Sequence, residues 1–247
     1  MAGHSKWKQI KRKKAVTDAR RGAHWTKIIK EITMAAKNGG GDPGGNPRLR
    51  LAIADAKAAN MPAENIERAI KKGTGELEGV NYEDVTYEGY GPGGAAIFVE
   101  CTTDNPTRSV ADLRNIFSKG GGNLGTAGSV AWMFDRRGQI FVDAARNDED
   151  TVMEIALEAG AADFAKEGEQ FVISTEVKDF HAVQDALKAK KIAVESAEIA
   201  MIPKNTVKVE GNAAPQLVRL MEAIEEHDDV AKVFSNFDVD EEALAGV

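Results

Sequence analysis

The sequence predicts an α+β chain of several domains, and three observations carry that expectation. Residues 1–78 hold three segments with helical apolar spacing, residues from about 80 onward alternate strand and helix patterns, and within 136–204 the order is β-α-β-β-α-β. A chain of 247 residues exceeds one small module, and 43% hydrophobic with 29% charged residues fits ordinary globular domains. No apolar run approaches the roughly eighteen residues of a membrane span, so a membrane role is not expected.

The first element is defined by charge before periodicity. Residues 4–16 carry only Trp7 and Ile10 as large apolar groups among Lys6, Lys8, Lys11, Arg12, Lys13 and Lys14. An isolated helix there would gain little from packing, so a basic arm is expected. From Thr17 or Asp18, either a suitable N-cap, Trp25, Ile28, Ile29, Ile32, Ala35 and Ala36 recur at helical spacing up to the glycines of NGGGDPGG. Arg20, Lys27, Lys30 and Lys37 fall on the side opposite this stripe, where they are expected to reach phosphates. Arg21 belongs to the same basic surface.

A second helix follows Pro47, with Leu49, Ala52, Ile53 and Ala56 inward and Arg50 and Lys57 elsewhere. In the third, Pro62 suits the first helical position, Ile66 and Ile70 face inward, and Lys71, Lys72 and Gly73 suit a C-terminus. Together the three make a small bundle.

Beyond it, VTYEGYGPGGAAIFVECTTDN reads as a hairpin, Thr107–Ser118 as a helix, KGGGNLGTAG as a loop and SVAWMF as a strand. From Gly138 the pattern gives QIFVDA, a helix over 149–159, a strand near Phe164, QFVIST, a helix over 179–190 and VESAEIAMI, the order of a ferredoxin-like module. After Pro203 come TVKVE, a helix carrying Leu217, Leu220, Met221 and Ile224, and VAKVFSNF. Sequence order permits these last elements to complete the domain begun near residue 80, with the ferredoxin-like unit inserted. The expected division is 1–78, then 79–135 with 205–247, then 136–204 as the insert.

Charge divides the chain into two ends. Residues 1–75 carry 17 Lys or Arg and 6 Asp or Glu, a net of +11, whereas residues 76–247 carry 15 and 33, a net of −18. A basic end attracts polyanions through phosphate contacts and counterion release, and the acidic body repels them, which favours docking by that end. Trp7 and Trp25 suit base stacking, and His4 and His24 a phosphate or base edge. Trp25, on the apolar stripe, is better explained as core.

Catalytic signatures are missing: there is no P-loop, no H-E-x-x-H and no G-x-S-x-G. Gly120, Gly122 and Gly125 match G-x-G-x-x-G but follow a helix and precede a strand, the reverse of a dinucleotide site. Cys101 is the only cysteine, too few for a Cys-based zinc site, and it fits a reducing compartment. No metal, cofactor or catalytic residue is expected. Asp104, Asn105, Thr107 and Arg108 mark a strand end entering a helix, a place that serves either an anion or a helix cap. Asn105 and Arg108, with Gly121 and Gly122 of the following glycine loop, are the candidate anion-contact residues.

The wording of several long blocks resembles one family. MAGHSKWKQIKRKKAVTDARRGAHWTKIIKEI, NPRLRLAIADAKAANMPAENIERAIKKG, YEGYGPGGAAIFVECTTDNPTRSVADLRNIFSKGGGNLGTAGSVAWMF and VAKVFSNFD resemble the YebC/PmpR family over nearly the whole chain. The resemblance implies a cytoplasmic protein with a three-helix bundle and two α+β domains, the last inserted in the middle one. It also implies a probable transcriptional regulator that binds DNA, although the family includes a mitochondrial translational activator and members tied to stalled ribosomes. Pro106 departs from the family pattern, stiffening the helix entry while leaving Arg108 in place.

The resulting expectation is a non-enzymatic, DNA-binding transcriptional regulator, with a ribosome- or RNA-associated translation factor as the alternative. Phosphate contacts would come from Lys6, Lys8, Lys11, Arg12, Lys13, Lys14, Arg20, Arg21 and Lys27, with Trp7 as a stacker. The acidic domains would offer surfaces to protein partners.

Overall fold

The computed structural model describes residues 18–239, with side chains from residue 24 onward. Helix α1 spans Asp18–Gly39, α2 Pro47–Ala58 and α3 Ala63–Thr74. The apolar stripe of α1 behaves as its spacing predicts: Ile28, Ile32, Ala35 and Ala36 are buried against Leu49, Ala52 and Ala56 of α2 and Ile66 and Ala69 of α3. Complete burial of a side chain such as Ile32 or Leu49 contributes about 1.5–3 kcal/mol. Trp25 is half-buried against this core and its indole N–H donates to Ala59 O at 3.1 Å, which makes it a packing residue.

Caps fix the bundle's corners. Asn46 accepts from Leu49 N at 3.1 Å as the N-cap of α2, and its amide donates to Ala35 O at 2.7 Å and Gly40 O at 2.8 Å, so one buried side chain joins the end of α1 to the start of α2. Two expectations for α3 shift. Pro62 is its N-cap, and the chain leaves the helix at Gly75, whose φ of 83° is left-handed, two residues beyond the expected Gly73. Gly73 serves another purpose: a Cβ there would lie 2.3 Å from Thr33 O, so its bare backbone lets α3 cross α1 closely.

The next sheet is built from β1 (Glu83–Tyr90), β2 (Ala96–Thr103), β3 (Asn123–Leu124) and a strand from near the C-terminus, Val230–Ser235. Their order is β3-β1-β2 and then Val230–Ser235, all antiparallel. Helix α4 (Pro106–Lys119) and a late helix, Ala213–Glu226, cover one face, burying Ile97, Val99, Leu113, Phe117, Leu217 and Met221 in a single core.

The segment SVAWMF is not a strand except at its last residue, Phe134. A turn and a short 3-10 helix, Ala131–Met133, replace it, because the Glu88 carboxylate of β1 accepts the backbone N–H groups of Gly128, Val130 and Ala131 at 2.7, 2.7 and 2.8 Å. Amides engaged by a side chain are withdrawn from any ladder.

Residues Phe134–Lys204 form a compact unit of their own. It contains β4 (Phe134–Asp143), α5 (Glu149–Glu158), β5 (Ala161–Glu167), β6 (Gln170–Thr175), α6 (Phe180–Ala189) and β7 (Val194–Pro203). The strand order β5-β6-β4-β7, antiparallel throughout, is that of a ferredoxin-like sheet. β4 begins at Phe134, two residues before the expected boundary, since Phe134 already pairs with Pro203. The chain then returns through β8 (Val207–Lys208), the late helix, hereafter α7, the strand Val230–Ser235, hereafter β9, and β10 (Phe237–Asp238), which pairs in parallel with β8.

Candidate nucleic-acid interface

The basic face of α1 divides where its side chains meet the middle of the chain. Lys6, Trp7, Lys8, Lys11, Arg12, Lys13 and Lys14 lie outside the described residues, and Arg20 and Arg21 stand on α1 without described side chains. Lys27, Lys30 and Lys37 do not form the free outer face that the helical wheel suggests. Lys27 Nζ donates to Glu225 O, Lys37 Nζ to Asn81 Oδ1 at 2.6 Å and Tyr82 O at 2.8 Å, and Lys30 is only 8% exposed. Lys27 lies against the carbonyl-rich C-terminal end of α7, which carries partial negative charge, Lys30 meets the residues just beyond that end, and Lys37 is held by the segment ahead of β1.

At the centre of this joint is Asp229, 3% exposed. Lys30 Nζ donates to its Oδ1 at 2.8 Å and to Asp228 O at 3.0 Å, with the Tyr82 ring centroid 5.5 Å from the ammonium. Arg108 Nη2 donates to Asp229 Oδ2 at 2.9 Å, Thr103 Oγ1 at 3.1 Å, and Ser109 Oγ lies 2.8 Å from the same oxygen. Burial pushes this carboxyl up, but hydrogen bonds from Lys30, Arg108 and Ser109 outweigh it and hold the group well below the usual carboxylate range. The same charge, after burial itself, helps push the Cys101 thiol up to about 12, which leaves it an unreactive core residue. A second bridge is Arg48, which donates to Glu31 of α1 at 2.7 and 2.8 Å and to Asp84 of β1 at 2.7 Å.

The candidate anion-contact residues are not brought together. Asn105 caps α4 by accepting from Arg108 N at 3.1 Å, and the Arg108 guanidinium already pairs with Asp104 at 2.8 Å as well as with Asp229. Gly121 and Gly122 sit at the other end of this 14-residue helix, roughly 20 Å away, and their N–H groups donate to Ser118 O and Phe117 O. These glycines have a packing role: a Cβ on Gly121 would lie 2.2 Å from Gln216 Nε2, and one on Gly122 2.6 Å from Tyr90 O. Carboxylates engage the guanidinium at the first place, and internal carbonyls engage the N–H groups at the second.

Among the described residues, the bundle lysines whose ammonium groups make no hydrogen bond or ion pair are Lys57, Lys71 and Lys72, all exposed, while Arg50 donates only to the backbone carbonyls of Pro43 and Gly44. The same residues hold no cluster of three His, Cys, Asp or Glu side chains able to bind a metal, and no helix long and apolar enough to cross a membrane. Sequence reasoning missed Asp229, Thr103, Ser109 and Glu88. The only signal for Asp229 was its place in HDDV, two acids directly ahead of an apolar strand.

Comparison with known proteins fits this architecture. Residues 5–76 match the model for the TACO1/YebC protein N-terminal domain, and residues 82–237 the model for the TACO1/YebC second and third domain. A "Probable transcriptional regulatory protein" of Gemmatimonas aurantiaca is 61% identical over 99% of both chains, and one of Desulforapulum autotrophicum is 57% identical over 98% of both. In three dimensions, a conserved hypothetical protein of Aquifex aeolicus superposes with a TM-score of 0.85 at 46% identity, covering 94% of this chain and 96% of its own. Two family models that together span most of the chain, and relatives similar from end to end, establish that it belongs to the TACO1/YebC family.

Proposed function

We propose that this chain is a cytoplasmic, non-enzymatic regulator of gene expression that binds nucleic acid through its N-terminal region, with DNA-binding transcriptional control as its primary activity. The observation that carries this reading is the charge division of the chain, +11 over residues 1–75 against −18 over the rest. The names of the two relatives described above favour transcription. Residues 1–78 act as the binding module, 79–135 with 205–247 as its support, and 136–204 as the insert.

Within α1, Lys27, Lys30 and Lys37 are engaged internally, which concentrates phosphate contacts on Lys6, Lys8, Lys11, Arg12, Lys13, Lys14, Arg20 and Arg21, supplemented by Lys57, Lys71 and Lys72. The mechanism is occupancy of a polyanion, with low sequence specificity, and Trp7 adds a stacking surface.

A translation factor bound to RNA or the ribosome is the second reading, and one observation favours it. The connection between α1 and α2, residues 40–46, is longer than the three- or four-residue turn of a helix-turn-helix reader of the major groove. Crosslinking in growing cells, followed by parallel sequencing of bound DNA, bound RNA and ribosomal RNA, separates the two. Promoter enrichment is expected, and ribosomal RNA crosslinks without promoter enrichment would overturn the transcriptional assignment. Reversing charge at Lys11, Arg12, Lys13 and Lys14 is expected to weaken binding and flatten its salt dependence by about 0.7–0.9 in log slope per lost contact.

A further inference from the structure

A cleft of about 300 Å³, lined by residues of α4, α7 and the start of the glycine loop, remains open in the domain that carries Asp229. Its floor is apolar, formed by Ile116, Leu220 and Ala223, and its rim carries Lys119, Arg219 and Gln216. The glycine loop shapes its end, for a Cβ on Gly120 would lie 2.6 Å from Leu220 Cδ1 and push α7 away.

The two rim cations stand in an acidic body. Residues 76–247 carry 33 acidic against 15 basic side chains, and the buried or bridging cations of the fold, Lys30, Arg48 and Arg108, all meet carboxylates. Among the described residues, neither Lys119 nor Arg219 makes an ion pair or side-chain hydrogen bond, although both border one strip of apolar surface. Two unpaired cations flanking an apolar cleft complement an apolar group with negative charge on either side.

We propose that this cleft docks a segment of a partner protein, with one apolar side chain seated over Ile116 and Leu220 and flanking carboxylates meeting Lys119 and Arg219. A nucleic-acid strand fits the cleft poorly: its lining holds no aromatic group on which a base could stack, and two cations in an acidic body make no phosphate track. Catalysis on a small metabolite fits poorly as well, since the lining brings together no carboxylate, His or Cys to serve as acid, base or nucleophile. An apolar anchor with charged flanks is a recurring mode of peptide capture in grooves.

The test uses the full chain and a short synthetic peptide carrying one Phe flanked by Asp and Glu. Its controls are the same peptide with Lys in place of the acids, the same peptide with Ala in place of Phe, and a single-stranded RNA oligonucleotide, each titrated by amide NMR. The acidic Phe peptide is expected to shift the amides of 116–122 and 216–223 saturably. Lys119→Glu with Arg219→Glu is expected to weaken it about tenfold. Ala223→Trp, which fills the cleft and keeps both charges, is expected to block it while RNA binding by the N-terminal region stays unchanged. Equal binding of either control peptide, RNA shifting these amides instead, or no saturable shift in the parent chain would each overturn the proposal.

Discussion

Asp229 and Glu88 are carboxylates removed from water within the same domain, at 3% and 6% exposure, yet they are held by opposite chemistries. Asp229 faces two cations and two hydroxyls gathered from distant elements, with Lys30 separated from it by 199 residues. Glu88 meets no cation in its loop and accepts three backbone N–H groups from residues 40 to 43 positions away. Charge is therefore used where α1 must be fixed against the sheet domain, and dipoles where one loop must be shaped. A cation can be supplied by a remote helix, whereas three convergent amides require one continuous turn.

The sharpest way to break this comparison is Asp229→Ala. It strands the Lys30 ammonium in a site 8% exposed and removes the shared acceptor of Thr103 and Ser109, so a loss of about 3–5 kcal/mol is expected in urea unfolding. Combining Lys30→Met with Asp229→Leu is expected to recover more than half, because the penalty comes from an uncompensated buried charge. Equal losses in the single and double variants would locate the effect elsewhere.

Glu88→Ala comes next, at about 3 kcal/mol, because Val130 N is buried while the other two amides have partial access to water. Its signature is local. Amide exchange at Gly128, Val130 and Ala131 is expected to accelerate while the bundle amides keep their protection, whereas Asp229→Ala should loosen α1. Glu88→Gln, which retains one acceptor oxygen, should fall between parent and Ala.

These two sites also explain which parts of the molecule were legible. The stripe from Ile28 to Ala36, the Asn46-Pro47 helix start and the alternating order over 134–204 follow from local spacing, and those elements stand where spacing put them. Periodicity identifies a polar face but not what meets it, so Lys30 read as a phosphate contact although an aspartate 199 positions away covers it. SVAWMF reads as a strand because its composition is strand-like, and only the distant Glu88 side chain removes its amides from pairing. Gly73 reads as a helix end because the need for a bare Cα opposite Thr33 arises only when two helices cross.

Acid titration separates the two carboxylates more finely. Burial pushes Glu88 up, but its three N–H bonds outweigh that and leave it below its ordinary value of 4.5; Asp229, against an ordinary 3.8, is held further down by two cations. A carboxyl depressed in the folded state binds fewer protons than in the unfolded chain, so its contribution is complete above the ordinary value and is lost as pH falls through the folded value. Stability should therefore begin to decline below pH 4.5 through Glu88 and only below pH 3.8 through Asp229. Glu88→Gln is expected to flatten the upper part of the decline and leave the lower part. An unaltered upper slope would mean that Glu88 does not titrate there.

The smallest effect tests whether the hydroxyls around Asp229 matter beside the cations. Ser109→Ala removes a group 2.8 Å from Oδ2 but leaves Lys30, Arg108 and Thr103 as donors, so about 1 kcal/mol is expected. Thr103→Val keeps the volume yet removes more than the contact with Asp229, since Thr103 Oγ1 also accepts from Asn105 N at 3.0 Å and lies 2.8 Å from Ser109 Oγ, and so holds the entrance of α4. It should therefore cost more than Ser109→Ala and loosen the first turn of α4 in hydrogen exchange. If Ser109→Ala matched Asp229→Ala, the hydroxyls would dominate the site and the contrast between charge and dipole would fail; if both hydroxyl variants were silent, the two cations alone would hold the carboxylate.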